Sequence, residues 1–344
     1  MSATALLFAA SAGAMMAQEG VSVSIDRFFI APGGTATVYV NMDNDVDVSS
    51  VTGTIVLPEG LSFVSAGEGN AKVCAATERS QQGALVQLTG TETVGKLLVT
   101  DSKPLSGNSG AFFSFDVEAA EELPATSQIA LSGFKGARGT EAYVAGEGSG
   151  MAVNEDNRIT LSMADVTVAP GEKATLSVDL ANTAELQNLQ CDITMPAGLA
   201  IDTESLAATE RLNDTYSFRT ATLADGRVRV ILYTMSQNAV QRVISGNEGA
   251  LFTFGVTATD ELPETANIKI SNIVAASPEA VGYYGEDALV GVTNSALTGI
   301  SGVEAQGRYS EEIYTVGGVR TETTKQGVNI IRKEDGTVVK VYKK

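Results

Sequence analysis

Asn41, Asp43, Asp45 and Asp47 alternate through a short stretch early in the chain. Several side-chain oxygens within reach of one another are what a calcium ion asks of its six to eight ligands. The spacing opens as an EF-hand loop does, yet Val48 stands where that loop needs Gly and no Glu closes it. Two readings follow: a calcium site at Asp43, Asp45 and Asp47, or a solvated acidic turn. Tyr283 and Tyr284, flanked by Gly282 and Gly285, are the second candidate, because Tyr rings carried on a loop stack on sugars in a chain that has no Trp. Plain loop packing is the alternative. The adjacent carboxylates Glu121-Glu122 and Asp260-Glu261 precede Leu-Pro turns, and neighbours on a turn are poorly placed for the separated acid and base of glycoside hydrolysis.

The chain contains no His. That removes the commonest general base near neutral pH and the commonest metal ligand, and with them the Ser-His-Asp, Cys-His and zinc-hydrolase mechanisms. No Gly-rich phosphate loop opens a helix, so nucleotide chemistry has no support. The 344 residues carry 41 acidic against 23 basic side chains, a net charge of −18, which repels nucleic acid and anionic membranes. The reading is of a binding protein with no enzymatic site, and with no cofactor beyond the calcium reading above.

These residues must be positioned by a duplicated domain. Ala31-Pro32-Gly33 matches Ala169-Pro170-Gly171, and Leu57-Pro58-Glu59-Gly60-Leu61 matches Met195-Pro196-Ala197-Gly198-Leu199, both at an offset of 138. At an offset of 139, Ser106-Gly107-Asn108-Ser109-Gly110-Ala111-Phe112-Phe113-Ser114-Phe115 matches Ser245-Gly246-Asn247-Glu248-Gly249-Ala250-Leu251-Phe252-Thr253-Phe254. A period this long marks tandem whole domains. Within each copy apolar residues alternate, as in Val21, Val23, Ile25, Val38 and Val40, and Pro-Gly, Asp-Gly and Gly-Asn turns punctuate the runs. The expected fold is all-β: two tandem antiparallel β-sandwiches and a small C-terminal β module. Phe113 and Phe115, with Phe252 and Phe254, are expected in the cores, with stacking on a ligand as the alternative.

The ends differ from the middle. Leu6-Leu7-Phe8-Ala9-Ala10 running to Ala17 resembles a secretory signal peptide, with cleavage expected after Ala17. No later segment approaches the length of a membrane helix. The expected divisions are 1–17 signal peptide, 18–154 first sandwich, 155–300 second sandwich and 301–344 tail, which places the protein outside the cell or on its surface. From Val303 onward eight basic and six acidic residues give the tail a charge of opposite sign to the rest. The two cysteines, Cys74 and Cys191, fall at non-equivalent positions of the repeat; two buried free thiols is the preferred reading, with a bridge between the domains the alternative.

The order of elements is an alternating strand, a Pro-Gly turn, a Val-rich strand ending in Asn (Val38 to Asn44), an apolar strand closed by Leu-Pro-x-Gly-Leu, and a late Gly-x-Leu/Phe-x-Phe strand. It resembles the cohesin-like domains, jelly-roll sandwiches related to a class of carbohydrate-binding modules, over residues 21–154 and 158–294. The resemblance implies a non-catalytic adhesion or scaffold role in a polysaccharide-using bacterium, with an extracellular protein partner, dockerin-like or other. Many cohesins have Tyr-Asp at the end of the apolar strand where this chain has Leu57-Pro58 and Met195-Pro196, so a dockerin face is not carried over residue by residue. Direct binding of a glycan by the sandwiches, and a structural surface subunit, stand as the competing readings. Glu312-Ile313-Tyr314, Gln326-Gly327-Val328-Asn329-Ile330-Ile331 and Gly336-Thr337-Val338-Val339-Lys340-Val341 resemble the sorting or anchoring tails of secreted Bacteroidetes proteins, with Val328-Asn329 in place of the usual Ile-Tyr. A final strand pair packed on the second sandwich is the alternative for this segment.

Overall fold

The computed structural model describes residues 20–80, 84–139, 141–238, 240–298, 312–333 and 337–344. The expected signal peptide lies outside the described residues. Two compact units are present, one formed by residues up to Arg158 with Val281–Tyr284, the other by Ile159–Ala280 with Gly285 onward.

The first sandwich has two sheets. One runs β1 (Val21–Ile25), β3 (Thr35–Asn44), β9 (Ala111–Ala119), β5 (Leu61–Phe63), with β6 (Cys74–Ala76) also on β9. The other runs β2 (Phe28–Ile30), β12 (Gly148–Asn154), β10 (Thr126–Arg138), β4 (Ser50–Val56), β8 (Val94–Thr100), β7 (Leu85–Gly90), with β11 (Glu141–Val144) beside β10. Pairing is antiparallel except for β2 on β12. Alternate residues of each strand face inward, so the sheets close on Val38, Val40, Met42, Val51, Ile55, Leu97, Val99, Ile129 and Leu131, each at most 3 % exposed. Phe113 and Phe115 are in this core as expected, with ring centroids 6.0 Å apart. Phe112 joins them because the register slips between Val40 and Asn41, and a bulge there turns two consecutive side chains inward.

The second sandwich repeats the plan. One sheet runs β13 (Thr160–Ser162), β15 (Lys173–Ala181), β20 (Ala250–Ala258), β17 (Leu199–Ala208); the other runs β14 (Val166–Val168), β23 (Ala288–Asn294), β21 (Thr265–Ala276), β16 (Asn188–Thr194), β19 (Val228–Thr234), β18 (Tyr216–Thr222). Irregularities recur as well. The register of β4 on β10 breaks between Ser132 and Lys135, where Gly133 has φ 61°, and that of β16 on β21 breaks between Asp192 and Gln190, opposite Asn272 with φ 50°. Asn is among the few residues with a Cβ that accept this left-handed conformation.

Cys74 and Cys191 are both free. Cys191 is buried as expected, whereas Cys74, on the short strand β6, is only half-buried. Cys191 stands where the first sandwich has Gly53. A Cβ at Gly53 would lie 2.6 Å from the Phe134 ring, and in the second sandwich the Phe134 position is the smaller Ile273. The two pairs fill the same space with opposite divisions of volume.

The tail folds as its own antiparallel sheet, β25 (Arg320–Thr321), β24 (Glu312–Thr315), β26 (Gly327–Arg332), β27 (Val338–Lys343), more than the single strand pair of the alternative. Ile331 and Val341 are buried on one of its faces. Asn329, which stands out in the sequence pattern, is fully buried: its amide donates to Lys325 O (2.7 Å) and Gly327 O (3.0 Å) and its carbonyl accepts from Lys325 N (2.8 Å), closing the turn before β26.

Candidate binding faces

Each sandwich fixes its loops with one arginine. Arg79, in the short 3-10 turn Glu78–Ser80, is 8 % exposed and uses all five N–H donors. Nε donates to Ser106 O (2.8 Å), Nη1 to Met42 O and Gly110 O (2.5 and 2.8 Å), and Nη2 to Asn44 Oδ1 and Gly107 O (2.6 and 2.9 Å). Arg211 repeats the set, with Nε to Ser245 O (2.7 Å), Nη1 to Leu180 O and Gly249 O (2.6 and 3.0 Å), and Nη2 to Asn182 Oδ1 and Gly246 O (both 2.8 Å). The acceptors explain the best-preserved stretch of the repeat. Ser-Gly-Asn-x-Gly supplies three carbonyls to the guanidinium, and its two glycines hold positive φ in both copies, 68° and 100° then 71° and 103°. The strand-ending Asn44 and Asn182 give the fourth side of the cradle. Burial lowers the pKa of both guanidiniums, opposed by Asp43 in the first sandwich and by Asp179 and Glu248 in the second.

Asp43, Asp45 and Asp47 are all exposed. Asp43 ends β3 opposite Ser22, Asp45 N donates to Gly20 O, and Asp47 pairs with Arg138. Among the described residues no group of three His, Cys, Asp or Glu side chains is placed to hold a metal ion. Tyr283 and Tyr284 form a short strand, β22 (Gly282–Tyr284), and both are half-buried. The Arg27 guanidinium lies 5.6 Å from the Tyr284 ring centroid, and Asn157 Nδ2 donates to Gly282 O at 3.1 Å. Burial raises the Tyr284 hydroxyl pKa, with Arg27 and a hydrogen bond to Thr126 opposing. Glu121, Glu122, Asp260 and Glu261 are exposed on their turns or at the turn's edge.

A different surface stands out once side chains are assigned to faces. Across β10, β4, β8 and β7 the outward residues form rows: Ala130, Val56, Val94; then Ser132, Thr54, Lys96, Thr89; then Lys135, Thr52, Leu98, Gln87; then Ala137, Ser50, Thr100, Leu85. These four strands contain no Asp or Glu at all, in a chain of net charge −18. Val56, Leu85 and Val94 are 37, 47 and 36 % exposed, and Lys96 and Lys135 stand among them. At about 4.8 Å between strands and about 6.8 Å between outward residues, the rows cover roughly 15 by 20 Å.

The corresponding strands β21, β16, β19 and β18 hold one carboxylate, Asp192, at the position of Thr54. Its side chain is fully buried on the outer side of the sheet. Arg229 grips it with Nε to Oδ1 (2.7 Å) and Nη2 to Oδ2 (2.9 Å), Arg227 Nη1 adds a third bond (2.8 Å), and Asn272 Nδ2 approaches at 3.3 Å. Arg227 also reaches Asp225 at 2.7 Å. The carboxylate raises the pKa of Arg229, while Cys191, behind it in the core, is pushed up to about 12 by burial and then by the Asp192 charge. Exposed Arg219 and Lys269 flank this network, Lys269 ion-paired with Asp287 at 2.7 Å, and Leu289, opposite Lys269 on β23, is 68 % exposed. Neither the arginine cradles nor these faces figure among the residues that sequence reasoning singles out. Only the conserved Ser-Gly-Asn-x-Gly run and the acid-free strands marked them.

No family model matches the chain, and no curated relative matches it. Solved structures similar to it include cohesins. The type II cohesin dyad from the adaptor ScaA scaffoldin of Acetivibrio cellulolyticus covers 79 % of this chain and 98 % of its own, at 11 % identity and a TM-score of 0.46. A non-cellulosomal cohesin from Archaeoglobus fulgidus covers 40 % of this chain and 93 % of its own, at 16 % identity and a TM-score of 0.31. A type I cohesin–dockerin complex from Clostridium thermocellum matches at 8 % identity over 40 % of this chain and 94 % of that one, with a TM-score of 0.33.

Proposed function

We propose that the chain is a non-catalytic extracellular scaffold or adhesion protein, and that each sandwich docks a protein partner, dockerin-like or other, on the outer face of its β10–β4–β8–β7 or β21–β16–β19–β18 strands. One observation carries the reading: in a strongly acidic chain the first face combines exposed Val56, Leu85 and Val94 with Lys96 and Lys135 and has no carboxylate in its four strands, and in the second the one strand carboxylate, Asp192, is buried under two arginines. Protein interfaces deplete acidic side chains at their centres and bury aliphatic anchors there. The cations select a partner whose own surface is acidic. The signal-peptide-like start and the tail sheet support export and retention at the cell surface of a polysaccharide-using bacterium, with the tail as the sorting or anchoring module.

The test is capture from the secreted fraction with the mature chain as bait. Leu98→Asp places a carboxylate in the centre of the first face, and Lys96→Glu reverses its charge. Both are expected to abolish capture of an acidic partner and to leave folding intact, while raised salt weakens the native capture. A captured set unchanged by either substitution, and by Arg219→Glu in the second face, overturns the reading.

A further inference from the structure

The opposite sheet of the first sandwich presents a surface of the reverse kind, centred on Tyr39. Its neighbours on β3 alternate outward as Thr37 and Asn41, and its partner across the ladder on β9 is Ser114. Tyr39 is 55 % exposed on the middle of three paired strands, where aromatic side chains are ordinarily covered. Polar pairs stand on either side of it. Thr37 Oγ1 donates to Asp116 Oδ1 (2.8 Å) and Asn41 Nδ2 donates to Asp26 Oδ2 (2.9 Å), so each carboxylate is held in place with its second oxygen and remaining lone pairs directed to other donors. Ser22, Ser24 and Thr35 complete the outward set with Asp43 and Glu118.

This composition separates two classes of partner. A protein interface needs several apolar side chains to exclude water, and here Tyr39 is the only large one among hydroxyls, an amide and carboxylates. A pyranose needs one ring against its C–H face and fixed acceptors and donors for the hydroxyls around its edge. The fixed carboxylates repel uronic acids and sulfated sugars. We infer that Tyr39, with Asp116 and Asn41, forms a binding site for a neutral glycan on the β1–β3–β9 face of the first sandwich. The second sandwich has Ser177 in place of Tyr39, bonded to Asp179 at 3.2 Å, and both aromatic residues of β20, Phe252 and Phe254, are fully buried, so the site belongs to the first copy.

The experiment is co-sedimentation of the full chain with insoluble cellulose, xylan and mannan, with polygalacturonate gels as the anionic control. Depletion by at least one neutral polysaccharide is expected, with none by polygalacturonate. Tyr39→Ala, a surface change, is expected to lower that binding at least tenfold, Tyr39→Trp to retain it, and Asp116→Asn to weaken it several-fold. Tyr283→Ala is expected to leave it unchanged, as is Leu98→Asp on the protein-docking face, which keeps this site's failure distinct from that one's. Absence of binding to all three neutral polysaccharides, binding by Tyr39→Ala equal to the native chain, or equal retention on polygalacturonate overturns the inference.

Discussion

Where the first sandwich has Thr54 on the outer side of its larger sheet, the second has Asp192 under two arginines; where both have an arginine beneath the Ser-Gly-Asn-x-Gly loop, the five hydrogen bonds agree atom for atom. The contrast separates two kinds of constraint. A buried guanidinium must satisfy every donor at once, so any drift in its cradle leaves polar groups unpaired at a cost of about 1–3 kcal/mol each. An outward strand position is free to change so long as any charge that becomes buried acquires partners, which Arg227 and Arg229 supply to Asp192. The copies therefore keep their loop anchors and diverge on the outer face of the larger sheet.

The comparison breaks most severely at the shared anchors. Arg79→Leu leaves four carbonyls and Asn44 without their donor, and is expected to destabilise the first sandwich by about 3 kcal/mol or more; Arg211→Leu should destabilise the second alone, and by less, because the Arg211 cradle is more open to water. Calorimetry of the full chain then shows one of two transitions moving. Lysine at either position recovers little, since a single ammonium cannot reproduce the planar fork.

The unshared core gives the next effect. Cys191 and Tyr216, both in the second sandwich, have pKa values pushed up to about 12 by burial, from 9.0 and 10.0. Folding favours their protonated forms, so that contribution is intact below pH 9 and is lost as pH rises towards 12. Alkaline titration followed by circular dichroism should unfold the second sandwich first, with a loss of a few kcal/mol, and Cys191→Ala should move its midpoint upward. Gly53→Cys, which imports the second copy's residue into the first, meets the Phe134 ring and should cost about 2 kcal/mol; adding Phe134→Ile should restore much of it, and urea titration of the single and double variants measures the coupling. The smallest effect concerns Tyr216, whose hydroxyl is buried without a hydrogen-bond partner among the described residues. Tyr216→Phe should raise the second transition slightly, by less than about 1 kcal/mol.

The sandwich architecture was legible because period-two burial and turn residues are both local: Val38 and Val40 alternate with Thr37 and Tyr39 in the sequence as they do in space. The arginine cradles were not legible, because their acceptors are mostly backbone carbonyls, which every residue type carries. The acid-poor strand faces were half legible. The absence of acid from Ser50–Val56, Leu85–Gly90 and Val94–Thr100 is written in the sequence, but that these segments lie side by side is a matter of long-range pairing. The acidic spacing points instead to Asp43, Asp45 and Asp47, of which Asp43 faces Arg79 and Asp47 pairs with Arg138, and the loop aromatics point to Tyr284, whose ring lies beneath Arg27. Tyr39 was overlooked inside a strand pattern that marked only its apolar neighbours.

The arginine cradles also bear on how the duplication was able to diverge. Aligned through Asn44 and Asn182 the copies are offset by 138 residues, through Arg79 and Arg211 by 132, and through Ser106 and Ser245 by 139. The second copy thus has six fewer residues on one side of its arginine and seven more on the other. Fixed at these three points, the chain between them takes different lengths in the two copies while joining the same strands, so loop length is a property the anchors leave free.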